Sequence, residues 1–144
     1  MRTINQMKLE FSSIPENEGF ARVAVSAFAV QLNPTLDVPA DIKTAVSEAV
    51  TNAIVHGYAE HAGIVTVSAR LQGDGWLEIT VSDQGKGIAD IAQAMQPFFT
   101  TQPEKERSGM GFSMMQTFMD DVRVESSPGC GTTVRMKKRL ENNA

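Results

Sequence analysis

SEAVTNAIVHG, residues 47–57, carries three polar side chains, Glu48, Asn52 and His56, at four-residue intervals through an otherwise small and apolar run. On a helix that interval returns to one face turn after turn. At about 100° per residue, Ile42, Ala45, Val46, Ala49, Val50, Ala53 and Ile54 share one broad arc, the face that buries. Glu48, Asn52 and His56 climb along the border of that arc, with Thr44, Ser47 and Thr51 further round toward solvent. A polar stripe at the edge of a buried face is where a cleft would open. Taken alone, the plainer reading is a solvated stripe whose terminal His56 is favoured by the helix dipole.

Outward from this helix, the chain alternates clear signals. Met7, Leu9 and Phe11 alternate with polar residues and predict a first strand. After Pro15, Phe20, Val23, Ala24, Ala27 and Phe28 fall at helical spacing and are expected to form a buried arc, with Arg22 about half a turn away. Asn33-Pro34 ends that helix, and Asp37 or Asp41 is expected to cap the next, which stops at Gly57. Val65 to Leu71 and Leu77 to Val81, joined by Gly73-Asp74-Gly75, predict a hairpin. Residues 83–108 read as mostly irregular, with one short helix near 89–95. A helix over about 109–119 and strands near 121–127 and 131–138, joined at Pro128-Gly129, complete the chain. Two consecutive hairpins imply an α/β (α+β) two-layer sandwich, a mixed but mostly antiparallel sheet with helices on one face.

Composition bounds the function. The 144 residues suit one domain, 1–144, and 42% hydrophobic with 21% charged residues is the profile of a folded soluble chain. A formal charge of −4 argues against a nucleic-acid backbone binder. No apolar stretch suits a signal peptide or a membrane span, so a cytoplasmic protein is expected. The single cysteine, Cys130, excludes an intramolecular disulfide and a thiolate metal cluster. Met110, Met114, Met115, Phe118 and Met119 read as flexible core or lid filler, and Lys137, Lys138 and Arg139 as a short solvated charge run.

Two further stretches bear chemistry. In Asp83-Gln84-Gly85-Lys86-Gly87-Ile88 an apolar strand ends in Asp, and two glycines follow at alternate positions. An ionised Asp only accepts hydrogen bonds, which suits the exocyclic amine of a purine, and glycines let a backbone approach a ligand. A solvent loop is the competing reading. In Arg107-Ser108-Gly109-Met110-Gly111-Phe112, small residues open a helix and leave N–H groups for an anion. Neither a Walker A nor a Rossmann pattern is present. The competing reading is a plain helix start. Between the two lies Pro97-Phe98-Phe99-Thr100-Thr101 and a charged segment suited to a lid.

ExxxNxxxHG on a helix, DxGxG after a strand, PFFTT, SGMGF and a final GTTV, in that order, resemble the ATP-binding fold shared by gyrase-type ATPases, Hsp90, histidine kinases and MutL proteins. Through NEGFARV (17–23), SEAVTNAIVHGY (47–58) and RSGMGF (107–112), the chain is most similar to the anti-sigma serine kinases, in particular the sigma-F type of spore-forming bacteria. The resemblance implies a protein-serine kinase using ATP and Mg²⁺. In it Glu48 is the catalytic base and Asn52 the magnesium ligand. Asp83 and Thr132 would read the adenine, and Gly85, Gly87 and Ile88 would pass the base. Thr100, Thr101, Arg107, Ser108, Gly109, Met110, Gly111 and Phe112 would contact ATP or ADP. His56 either touches the nucleotide or only holds the stripe. The implied partners are a sigma factor, an anti-anti-sigma factor as phosphorylation substrate, and a second copy in a homodimer met through the first strand and helix. Arg22 would lie on the shared docking surface. A nucleotide-gated binding module without kinase activity and a histidine-kinase-type catalytic domain are the alternatives; no helical hairpin bearing an acceptor histidine is evident for the latter.

Overall fold

The computed structural model describes residues 2–32, 34–59, 61–96 and 111–140. Five strands form one sheet: β1 (Thr3–Ser12), β2 (Ile64–Gln72), β3 (Trp76–Asp83), β4 (Asp121–Ser126) and β5 (Thr132–Arg139). Their spatial order is β1-β2-β3-β5-β4, and all four pairings are antiparallel. The mixed component allowed by the sequence is therefore absent among the described strands. Strand alternation decides the two faces. Val65, Val67, Ala69 and Leu71 of β2 and Leu77, Ile79 and Val81 of β3 turn inward and are buried, as are Val134 and Met136 of β5. The same period delivers Asp83, the last residue of β3, to the buried face.

Helices α1 (Glu16–Ala29), α2 (Asp37–Asn52) and α4 (Gly111–Phe118) pack over that face, with α2 between the other two; α3 (Ile91–Ala94) is a single short turn. Every residue of the expected α2 arc is buried, from Ile42 to Ile54. Burying each Val or Ile side chain contributes about 1.5–3 kcal/mol, far more than the propensity cost of Asn52. After Asn52 the helix widens into a π-helical turn, Ala53–Gly57, closed by Tyr58 N–H donating to Ala53 O at 3.0 Å. Such turns insert one residue into the ladder.

Three expectations are corrected. On α1 the buried residues are Ala21, Val25, Ser26, Phe28 and Ala29, while Phe20 and Val23 stand 57% and 56% exposed and Ala27 is also outward. The helix carries two apolar stripes, and the one holding Ala21, Val25, Phe28 and Ala29 turns inward while α1 packs along α2. Neither Asp37 nor Asp41 caps α2: Leu36 holds the cap position, Asp37 sits in the first turn, and Asp41 pairs with Lys138 at 3.5 Å. The basic run is not simply solvated, since Lys138 is half-buried, donating to Phe118 O at 2.7 Å, and Arg139 lies over the Trp76 ring. Among the described residues no helix is long and apolar enough to cross a membrane.

Candidate functional site

Where α2, β3, β5 and the start of α4 converge, a cavity of about 380 Å³ opens. Asn52 and His56 line it from α2 and its π-helical extension, Asp83 from the end of β3, Thr132 and Val134 from β5, and Gly111 and Phe112 from α4. Gly87 and Ile88 line it from the loop after β3. The polar stripe of α2 therefore faces a cleft. Asn52 and His56 are half-buried on its wall, and this decides against the solvated reading.

Asp83 is only 5% exposed. Burial pushes its carboxyl above the usual aspartate value, against the opposing pull of the Gly85 and Thr132 backbone N–H groups. The Gly85 bond, to Oδ1, is 2.9 Å long. Two glycines make this geometry possible. A Cβ on Gly57 would lie 2.8 Å from Asp83 Cγ and Oδ1, and a Cβ on Gly85 would be driven into the Gly57 carbonyl. That carbonyl accepts from Lys86 N–H at 2.9 Å. Gly87, at φ +78°, packs on the Ser127 carbonyl, which brings the β4–β5 turn against the loop. Tyr58 secures the other side, its hydroxyl donating to Ile64 O and accepting from Gln84 N–H, both at 2.7 Å.

At the opposite end of the cavity, α4 begins directly against α2. A Cβ on Gly111 would stand 3.1 Å from Asn52 Nδ2, 3.2 Å from Asn52 Oδ1 and 3.3 Å from Glu48 Oε2. Glu48 does not line that cavity. It closes a second, polar groove of about 310 Å³ whose other walls are Arg22, Val23, Lys43, Thr44 and Ser47. One carboxylate thus stands between the cavity and a groove that runs out to α1.

Residues 11–138 match the family model described as a histidine kinase-like ATPase domain. Anti-sigma F factors of Thermoanaerobacter sp. (strain X514) and Bacillus subtilis (strain 168) are 59% and 54% identical to this chain over 140 residues. The alignments cover 97% and 96% of this chain, and 97% and 95% of theirs. The chain belongs to the anti-sigma F factor family. The RsbU and RsbW domain structure from Mycobacterium tuberculosis superposes with a TM-score of 0.70 at 23% identity, covering 97% of this chain and 33% of that one. Full-length ShkA in complex with AMPPNP gives 0.60 at 18%, covering 99% and 33%. Likeness at those identities concerns the fold.

In this member of the family, the sequence-predicted residues Asn52, His56, Asp83, Gly87, Ile88, Gly111, Phe112 and Thr132 gather on one cavity. Gly85 lies behind its wall, Glu48 at its border, and Arg22 at the far end of the adjoining groove. Thr100, Thr101, Arg107, Ser108, Gly109 and Met110 lie outside the described residues. The sequence reading passed over Gly57, taken only as a helix stop, and Lys86, Gln93 and Pro128, which also line the cavity. A signal for Gln93 existed: Asp90-Ile91-Ala92-Gln93 has capping-box spacing, and Asp90 Oδ1 accepts from Gln93 N–H at 3.0 Å.

Proposed function

We propose that this chain is a single-domain anti-sigma factor and protein-serine kinase, which holds a sigma factor of the sigma-F type and phosphorylates a serine of its anti-anti-sigma factor. The observation that carries the reading is the position of Glu48 between the cavity and the groove leading to Arg22. A binding module needs a nucleotide pocket and a docking face, but it has no use for a carboxylate at their junction.

The cavity's chemistry suits ATP. Asp83 offers an acceptor to the purine amine, the apolar lining of Ala49, Ala53, Val81, Ile88 and Val134 encloses the base, and the N-terminal end of α4 favours phosphate. Asn52 Oδ1, beside Glu48 and Gly111, is a hard oxygen donor that fits one position of a magnesium shell completed by water and phosphate. No group of three His, Cys, Asp or Glu side chains offers a metal site among the described residues, consistent with a shell made mostly of non-protein oxygens. Magnesium, when bound there, offsets the phosphate charge.

In the transfer, the acceptor serine enters along the groove and its Oγ attacks the γ-phosphorus in line with the departing ADP oxygen. Glu48 orients the hydroxyl and takes its proton as the new O–P bond forms and the β–γ bond breaks. Arg22, on the outward face of α1 and 3.6 Å from Glu18, suits carboxylate contacts on a partner. The outward Phe20, Val23, Ala27 and Val30 lie beside it at heptad-like spacing, an apolar surface consistent with α1 and β1 meeting a sigma factor and a second copy.

The test is Glu48→Gln, which keeps shape and removes charge. Transfer of labelled γ-phosphate to serine should fall by about 10²-fold or more while nucleotide and sigma binding persist. Undiminished phosphorylation would overturn the assignment and leave the cavity to nucleotide-gated binding.

A further inference from the structure

Asp83, Thr132 and Ser126 form one cross-strand row, with Asp83 opposite Thr132 between β3 and β5 and Thr132 opposite Ser126 between β5 and β4. The first two line the cavity; Ser126 stands one strand behind. Its hydroxyl makes three contacts. Ile88 N–H donates to Ser126 Oγ at 2.8 Å, Ser126 Oγ donates to Gly131 O at 2.9 Å, and Ser126 Oγ meets Thr132 Oγ1 at 2.9 Å.

A serine hydroxyl has one proton and two lone pairs. The Gly131 carbonyl can only accept, so it takes the Ser126 proton. Ile88 N–H can only donate, so it occupies one lone pair. The contact with Thr132 must then run from the threonine hydroxyl into the remaining lone pair. Thr132 spends its only proton on Ser126 and turns nothing but lone pairs toward the cavity. Beside it, the ionised Asp83 carboxylate is likewise an acceptor.

We infer that Ser126 is a specificity-determining residue, which fixes the Thr132 hydroxyl as an acceptor so that the site selects a purine presenting an exocyclic amine over a 6-oxo purine. This rests on the proposed nucleotide reading of the cavity and adds what enforces its choice of base. A 6-oxo group brings lone pairs to an edge already lined with them. An unpaired acceptor facing an acceptor is a costly mismatch, the kind by which buried polar sites discriminate.

The experiment compares ATP and ITP, which differ at position 6 and in the N1 proton, by calorimetry on the full chain with Mg²⁺. Ser126→Ala releases the Thr132 proton, so the preference for ATP over ITP should fall by about fivefold, the value of one reoriented hydrogen bond. Ser126→Thr keeps the hydroxyl and should keep the preference. Thr132→Val should lower it too, and adding Ser126→Ala to that variant should change it no further. A merely structural role for Ser126 would weaken both nucleotides together. Ser126→Cys, close to serine in size but a poor hydrogen-bonding group, gives the same readout if the alanine variant does not fold. An unchanged ATP-to-ITP ratio in Ser126→Ala or Ser126→Cys overturns the inference while leaving the nucleotide reading standing. Failure of the unaltered protein to bind ATP overturns both.

Discussion

Asp83 sits at the end of a strand whose period carries it inward, and its carboxyl is held above the usual 3.8 by burial. The consequence for pH has two opposite signs. The folded chain binds this proton more tightly than the unfolded chain, so stability of the free protein declines as pH rises through the window above 3.8 and recovers on acidification. On the proposed reading the nucleotide needs the ionised acceptor, so affinity should decline on acidification through the same window. Calorimetric ATP titrations and thermal melts across mildly acidic pH should therefore trend in opposite directions, and both Asp83-linked trends should vanish in Asp83→Asn. That variant should also bind ATP more weakly at neutral pH, by about 1–3 kcal/mol. That the acidic side chain and its neighbouring glycines belong to a site was legible from their spacing, and Asp83 and Gly87 do line the cavity. The burial of Asp83 followed from alternation already visible in Leu77, Ile79 and Val81. The role of Gly57 was not legible, because nothing local announces that a helix end will pass within van der Waals range of a carboxyl twenty-six residues later.

At the scale of elements, α1 and α2 show when periodicity suffices. The α2 arc is continuous and its opposite face is polar, so one reading is possible and the structure bears it out. On α1, two apolar stripes lie side by side, and weighting by size selects Phe20 and Val23. The fold instead buries Ala21, Val25 and Ala29 fully, and of the larger stripe only Phe28. Two substitutions separate these readings. Phe20→Ser should alter the unfolding free energy of the dissociated monomer by no more than about 0.5 kcal/mol. Ala21→Leu should cost about 1–3 kcal/mol by overpacking a fully buried site. Urea denaturation would measure both, and a large loss in the first with none in the second would restore the larger stripe to the core. The π-helical turn after Asn52 was equally hidden. The sequence showed a four-residue interval ending at His56, whereas the backbone leaves α-helical geometry after Asn52.

At the scale of the molecule, the cavity of the proposed chemistry and the groove of the proposed docking face adjoin at Glu48, with Arg22 on the groove's far wall. Arg22 is exposed and its ion pair with Glu18 is a surface one of small value. Arg22→Ala should therefore leave thermal stability and ATP binding nearly unchanged while weakening both the sigma factor and the anti-anti-sigma factor. A pull-down in which both are retained at undiminished affinity would remove Arg22 from the surface. The sheet order carries a further consequence, for the route by which the chain reaches this state. β2 and β3 meet across the short turn at Gly73–Gly75, and β4 and β5 across the turn at Pro128–Gly131. Strand β1, by contrast, must find a neighbour far along the chain, with Phe11 opposite Val65 and Leu9 opposite Val67. Closing that long loop costs entropy before any contact repays it. The two hairpins should thus protect their amides early in refolding, and the edge strand should join after them. Pulse-labelled hydrogen exchange would read this order directly, with Met7, Leu9 and Phe11 still open to solvent after Ser68 and Thr80, which pair within the hairpin, have closed.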